Sequence, residues 1–309
     1  MFFSSLAFHY LCGKPRRYTA LAVKYPSKLD IISLFVRIFA KQLNESNRIM
    51  SEEQNMSFWD HLEALRWSLM RVAIVIMILI VGLFSYMPTI FDKFVLAPTT
   101  SKFFLYQWLS KLGEMGPFFP NFGNDKFAVE IININVASQF MTHITTSFWF
   151  AFILAFPYMI YEVWKFIKPA LYKNEEKYIG FAFLFGTTMF YIGCALGYSL
   201  VFPFTFRFLT EYQLSETITN QISLSSYMGN FMMMILVMGL VFEMPLLVWI
   251  LSGIGVVDKA FLRRFRRHAV VVLLVLAAII TPSGDPFTLM TVFLPLFLLY
   301  EFGIILAKK

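Results

Sequence analysis

Few residues in this chain offer chemistry, and the clearest of them is Glu243. It is the one charged side chain in an apolar run of 41 residues, 217–257. A charged carboxylate in the middle of a bilayer costs roughly 2.5 kcal/mol or more. Pro245, two residues on, removes a donor from the helix ladder and frees a carbonyl. Such a carboxylate is either protonated and bonded to a neighbouring helix, or it faces a cavity or a partner helix. A second group lies at 166–176, Phe-Ile-Lys-Pro-Ala-Leu-Tyr-Lys-Asn-Glu-Glu. Pro169 bends this segment, Phe166 offers a ring, and Glu175 and Glu176 offer carboxylates. It reads as a solvated charged loop or as a docking surface for a cationic peptide. Arginine suits such a surface better than lysine, because its planar fork meets a carboxylate with two bonds. A third group, Asp60-His61-Leu62-Glu63-Ala64-Leu65-Arg66, precedes an apolar run. Leu62, Leu65 and Leu69 share a helical face, and the rings of Trp59 and Trp67 suit a membrane interface.

Enzyme signatures are absent: there is no G-x-S-x-G, H-E-x-x-H, G-x-x-x-x-G-K-[ST] or G-x-G-x-x-G. The four histidines (9, 61, 143 and 268) are scattered, and His143 reads as an interface cap. The two cysteines, Cys12 and Cys194, form neither a disulfide framework nor a metal spacing. The sequence therefore predicts no enzyme, no metal and no cofactor.

The elements that must hold these residues follow from composition. Of 309 residues, 58% are hydrophobic and 15% charged, and Phe alone accounts for 37. Soluble domains average about 45–50% and 25%. Mean hydropathy is +0.66. So much apolar surface behind so few charges excludes a soluble enzyme, a disordered tail or a collagen-like fibre, and points to an integral membrane protein. Uncharged runs cover 72–91, 131–161, 178–206 and 217–257, the last broken only by Glu243. Each exceeds or meets the ~20 residues that cross a ~30 Å hydrocarbon core. Two shorter runs, 269–284 and 286–300, flank the turn signal Thr281-Pro282-Ser283-Gly284-Asp285-Pro286. They predict a hairpin of two short helices that crosses only a locally thin bilayer. The expected fold is all-α, with six transmembrane helices, the last two short. A Gly193-x-x-x-Gly197 pattern in the third span predicts close helix packing.

Charge orients the spans. Lys165, Lys168, Lys173 and Lys177 follow the second run; Lys259, Arg263, Arg264, Arg266 and Arg267 follow the fourth; Lys308 and Lys309 end the chain. The loops on the other side carry balanced charge or none. The net charge of +7 thus reads as a positive-inside bias, with both termini cytoplasmic, and not as a nucleic-acid surface. Residues 1–49 fit no span and no secretory signal. They are expected to be an atypical disordered extension or a gene-start artefact, translation beginning at Met50 or Met56. Residues 50–309 then form the membrane domain.

In combination, these pieces resemble the C subunit of the twin-arginine protein translocase, the TatC family. The match runs over about 56–307. It rests on His61-Leu62-x-x-Leu65-Arg66; Pro98; Tyr161-x-Val163-Trp164-x-Phe166-x-x-Pro169-Ala170-Leu171-Tyr172-x-x-Glu175; Val201-Phe202-Pro203 ending span three; Phe242-Glu243-x-Pro245; Thr281-Pro282 with Asp285-Pro286-Phe287; and Tyr300-Glu301 ending span six. The resemblance implies a concave six-helix bundle in the bacterial inner membrane. Its members bind the paired arginines of signal peptides on folded cargo, recruit single-span TatA-type (and TatB-type) subunits, and are driven by the proton-motive force. It implies a homo-oligomer within that complex. It assigns signal binding to Phe166 and Glu175, partner-helix docking to Glu243, and structural roles to Pro98, Pro169, Pro245 and Asp285.

The chain also departs from the family pattern. The usual Glu falls at Ala64, with Glu63 one residue earlier, about 100° around a helix. The usual Gln before Val163-Trp164 is Glu162, and a Gln after the external Asp is Leu289. Glu63 enters as a candidate third signal-binding residue. A competing reading is a small-solute secondary transporter using Glu243 as a proton or cation carrier. It predicts a second buried charge and inverted repeats. The sequence has no second charge in the middle of a span and no repeat. A third reading, a passive scaffold, predicts insensitivity to changes at Glu63, Glu175 and Glu243.

Overall fold

The computed structural model describes residues 58–113, 129–167, 179–212, 215, 220–281 and 283–307, within the unit formed by Met56–Lys309. Glu175, Pro169 and the 1–49 segment lie outside the described residues.

The unit is helical. The lead-in segment and the first span form one helix, α1 (Phe58–Ile90, 33 residues). Pro88 sits inside its last turn. A proline there leaves the carbonyl four residues earlier without a donor. His143 repairs this: its Nε2–H donates to the Phe84 carbonyl at 2.9 Å, and its ring stacks on Phe84 with centroids 4.0 Å apart. The sequence placed His143 at an interface; its partner is the gap that Pro88 opens. A wide π-type turn (Phe91–Val95) and a 3-10 turn (Ala97–Thr99) lead to α2 (Phe104–Gly113).

The second span is α3 (Ser138–Ile167), which packs along α1. The third is α4 (Ile179–Leu196), a π-type turn (Gly197–Val201), then α5 (Phe202–Glu211). This corrects the expected end of the span at Val201-Phe202-Pro203. Pro203 falls at the start of α5, directly after the π-type turn, where a missing N–H is tolerated. The chain stays helical through Arg207, which is 2% exposed. That cation is compensated by Glu211 at 2.8 Å and by the Tyr106 ring, 4.9 Å from the guanidinium carbon.

α6 (Leu224–Val241) and α7 (Met244–Gly253) form the fourth span. α6 meets α4 at glycines. A methyl group at Gly193 would lie 2.7 Å from the Met238 carbonyl oxygen, and one at Gly239 would lie 2.6 Å from Cys194 Sγ. The Gly193/Gly197 pattern does pack closely, as the sequence predicts. Two-residue strands β1 (Ile131–Ile132) and β2 (Ile222–Ser223) pair in parallel and join the segments that precede α3 and α6. The core near them is aromatic: buried Phe202 meets the rings of Tyr227 and Phe231 edge to face, and those two stack on each other.

A short α8 (Lys259–Arg264) precedes α9 (Arg266–Ile280) and α10 (Pro286–Leu306). Among the described residues, five segments are long and apolar enough to cross a membrane: Leu62–Thr99, Ser138–Phe166, Ala182–Glu211, Leu224–Gly253 and Pro286–Leu306. α9, at 15 residues, is short as expected and reaches about 22 Å. α10 is not short. It has 21 residues, about 31 Å. Glu301, read from sequence as its end, instead pairs with Arg266 at 2.8 Å, and the helix continues for a turn and a half.

Candidate functional site

The residues predicted to act fall in three places. At the start of α1, Glu63 is exposed and Ala64 is half-buried. With the one-residue shift from the family pattern, the carboxylate stands on the exposed position. Near the end of α3, Phe166 is half-buried, one turn beyond Glu162.

Sequence reasoning missed what holds this region. Glu162, treated there only as a departure, is 2% exposed. Arg71 of α1 meets it with both arms of its fork: Nε donates to Oε1 at 3.0 Å and Nη2 to Oε2 at 2.8 Å. Tyr158, one turn before on α3, donates its hydroxyl proton to Glu162 Oε1 at 2.9 Å. The Arg71 Nη2 also donates to Ser68 Oγ at 2.9 Å. A buried carboxylate without such partners would be prohibitive. A signal was present in the sequence. Arg71 opens the first apolar run and Glu162 closes the second, and in antiparallel neighbours those ends meet.

Glu243 sits at the break between α6 and α7. The N–H groups of Phe242 and Glu243 donate back to Met238 (3.0 Å) and Leu240 (3.1 Å), and α7 starts at Met244. Pro245 is buried directly after. The Glu243 side chain turns toward α4. Its Oε2 lies where a methyl group on Gly186 would approach to 3.1 Å, and Leu246 closes the same space. Its Oε1 is buried and has no hydrogen-bond partner among the described residues. Thr187, next to Gly186, also carries a buried, unpartnered hydroxyl. Native proteins seldom leave such groups unpaired without reason.

The structural candidates occupy turns. Pro98 is buried in the 3-10 turn; the single proton of the Tyr106 hydroxyl is shared between its carbonyl (3.2 Å) and that of Pro203 (3.1 Å). Asp285 caps α10, accepting from the Thr288 N–H at 2.8 Å and the Thr288 hydroxyl at 2.6 Å, with Ser283 as a further donor. Partial burial works against its charge. The donated hydrogen bonds outweigh that and hold its carboxyl below the ordinary aspartate range. A cavity of about 510 Å³ lies by Pro88, Asp92 and His143, lined by none of these candidates.

The family described as Sec-independent protein translocase protein (TatC) matches residues 60–295. A relative of that name from Blattabacterium (Periplaneta americana) is 35% identical over 260 residues, covering 83% of this chain and 97% of its own. One from Deinococcus radiodurans is 32% identical over 251 residues, covering 81% and 85%. Two crystal structures described as the twin-arginine translocase receptor TatC are each 27% identical to this chain. The first has a TM-score of 0.63 and covers 80% of this chain and 97% of its own; the second, in DDM, has a TM-score of 0.65 and covers 81% and 100%.

Proposed function

The chain belongs to the TatC family of Sec-independent protein translocase proteins, and from that premise we propose that it is the receptor and core subunit of a twin-arginine translocase. It is a translocation subunit and not an enzyme, carried by residues 50–309. It lies in the bacterial inner membrane with both termini cytoplasmic. The positive-inside distribution of Lys165–Lys177, Lys259–Arg267 and Lys308–Lys309 supports that orientation.

The mechanism has three steps. Glu175 captures the guanidiniums of a twin-arginine signal, with Phe166 stacking alongside and Glu63 as an outer carboxylate. Bidentate Arg–carboxylate pairing explains why two lysines are a poor substitute. The apolar part of the signal then enters the concave groove. Glu243 receives a TatA-type (or TatB-type) helix, and copies of this chain assemble within the complex. The proton-motive force drives transport.

One observation carries this reading. Glu243 Oε1 is buried and unpartnered among the described residues, at a helix break in an otherwise apolar span. An oxygen so placed is stabilised by a donor from outside the chain.

The test is a titration of the full-length protein, purified in detergent, with a twin-arginine signal peptide and its twin-lysine counterpart. The native protein is expected to prefer arginine by ten-fold or more, and Glu175→Ala to lose that preference. Equal, weak binding of both peptides by folded native protein removes the receptor reading. Unchanged partner crosslinking in Glu243→Leu removes the docking step.

A further inference from the structure

The segment from the end of α7 to the start of α9 forms a basic elbow that the translocation mechanism above does not use. Gly255, at φ +83°, turns the chain out of α7. Asp258 caps α8 by accepting the Phe261 N–H, and the chain bends at Phe265 (φ −88°, ψ 6°) into α9. Two polar ties fix the elbow on α10. The Tyr300 hydroxyl donates to the Leu262 carbonyl at 2.8 Å, and Arg266 pairs with Glu301 at 2.8 Å.

The rest of the elbow faces outward. Arg263, Arg264 and Arg267 are exposed and have no side-chain partner among the described residues. Interleaved with them are Phe261 (48% exposed) and Phe265 (40%), and Val256 (67%) stands in the preceding turn. Water disfavours exposed rings and branched aliphatics, and an apolar interface disfavours unpaired guanidiniums. The headgroup layer of a bilayer accommodates both.

We propose that this elbow is a binding site for anionic phospholipid. The guanidiniums of Arg263, Arg264 and Arg267 hold headgroup phosphate, and Phe261 and Phe265 lie against the glycerol and upper acyl region. The site has a use in this fold. α9 reaches only about 22 Å, so the leaflet at its foot must be drawn in. Phosphates held at its first turn fix the leaflet there. The proposal requires only that the chain spans a bilayer; signal recognition does not enter.

Native mass spectrometry of the full-length protein in detergent tests it. The protein is titrated with phosphatidylglycerol or with phosphatidylcholine of the same acyl chains. Each guanidinium near an anionic surface contributes about a five-fold gain, so the native chain is expected to retain phosphatidylglycerol at least ten-fold better. The Arg263→Gln/Arg264→Gln/Arg267→Gln variant is expected to lose that preference with an unchanged melting temperature, because all three side chains are exposed and none has a polar partner among the described residues. The corresponding triple Lys variant retains most of it. Lys93→Gln/Lys102→Gln, outside the elbow, retains all of it. Undiminished retention in the triple Gln variant overturns the proposal. So does native protein that holds both lipids equally, including the case where it binds an acidic peptide instead. Displacement of the lipid by equimolar glycerol phosphate assigns the elbow to a soluble phosphate and also overturns it. A signal-peptide titration on the same samples separates this result from the receptor reading.

Discussion

Two carboxylates in apolar spans, Glu162 on α3 and Glu243 between α6 and α7, are treated oppositely by the same fold. Both Glu162 oxygens are bonded, by Arg71 and Tyr158. Glu243 has one oxygen buried without a partner among the described residues and the other facing the space above Gly186. The first arrangement locks α1 to α3. The second weakens its own span, with a break and a proline beside it, and leaves an acceptor without a donor among the described residues. The contrast separates a carboxylate whose bonds are all made within the fold from one left open, which the proposed function assigns to binding. Sequence alone does not make that separation, since each is simply a Glu bordering or interrupting an apolar run.

The largest expected effect tests the locked side. Arg71→Ala strands Glu162, which is 2% exposed. Breaking a buried pair in this way costs about 3–5 kcal/mol. Glu162→Ala is expected to cost less, because the Arg71 side chain is 30% exposed and its long stem reaches water. Arg71→Met/Glu162→Met is expected to recover most of the loss. Thermal unfolding in detergent reads all three. Equal costs for the two single variants would show that the pair is screened and that the asymmetry of burial does not matter.

The open side predicts the reverse sign. Glu243→Leu removes an unpartnered buried oxygen, so stability is expected to hold or rise by about 1–2 kcal/mol while partner crosslinking is lost. The shape of the site predicts a companion result. Gly186→Ala brings a methyl to 2.7 Å from Leu246 Cδ2 and 3.1 Å from Glu243 Oε2, so it narrows the approach to the carboxylate without removing it. A destabilisation by Glu243→Leu as large as that of Arg71→Ala would erase the distinction between the two sites.

The sequence exposed what depends on bulk apolarity and failed where one charge meets another. Four of the spans are visible as uncharged runs, because lipid tolerates nothing else. The close packing at Gly193 is visible because a small-residue spacing has one common use. The sequence puts the end of α10 at Glu301 and the end of the third span at Val201-Phe202-Pro203, and the helices continue past both. In both places a charge or a proline looked like a stop. A compensating partner, Arg266 in one case and the π-type turn with Glu211 in the other, lies 35 residues away or in the backbone geometry itself. Glu162 was noticed only as an unusual residue, since its role is defined by Arg71, 91 positions earlier. Of the candidate site, Glu243 was legible from isolation alone. Phe166 and Glu175 are legible as a charged loop or a docking surface; their signal-binding role, and Glu63 as a third candidate, rest on resemblance to a family, and their assembly into one surface is a proposal about chemistry.

A third carboxylate, Asp285, gives the smallest effect and calibrates the other two, being both satisfied and close to water. It accepts from the Thr288 N–H at the start of α10 and from hydroxyls of Ser283 and Thr288. Asp285→Ala is expected to cost about 1 kcal/mol, the usual value of a helix N-cap, measured by thermal unfolding at neutral pH. The pH dependence has a defined sign. Hydrogen bonds to the ionised form place its folded-state pKa below the unfolded value, which is near 3.9. The stabilisation is therefore fully present above about pH 4. It disappears as pH falls through the lower folded-state value, where both states are protonated. Asp285→Asn is expected to differ from the native chain by a constant amount above about pH 4, and the gap is expected to close as pH falls to the folded-state value. A gap that persists unchanged in acid would mean that the neutral side chain caps as well as the charged one. Capping geometry, and not charge, would then distinguish a satisfied carboxylate from an open one in this fold.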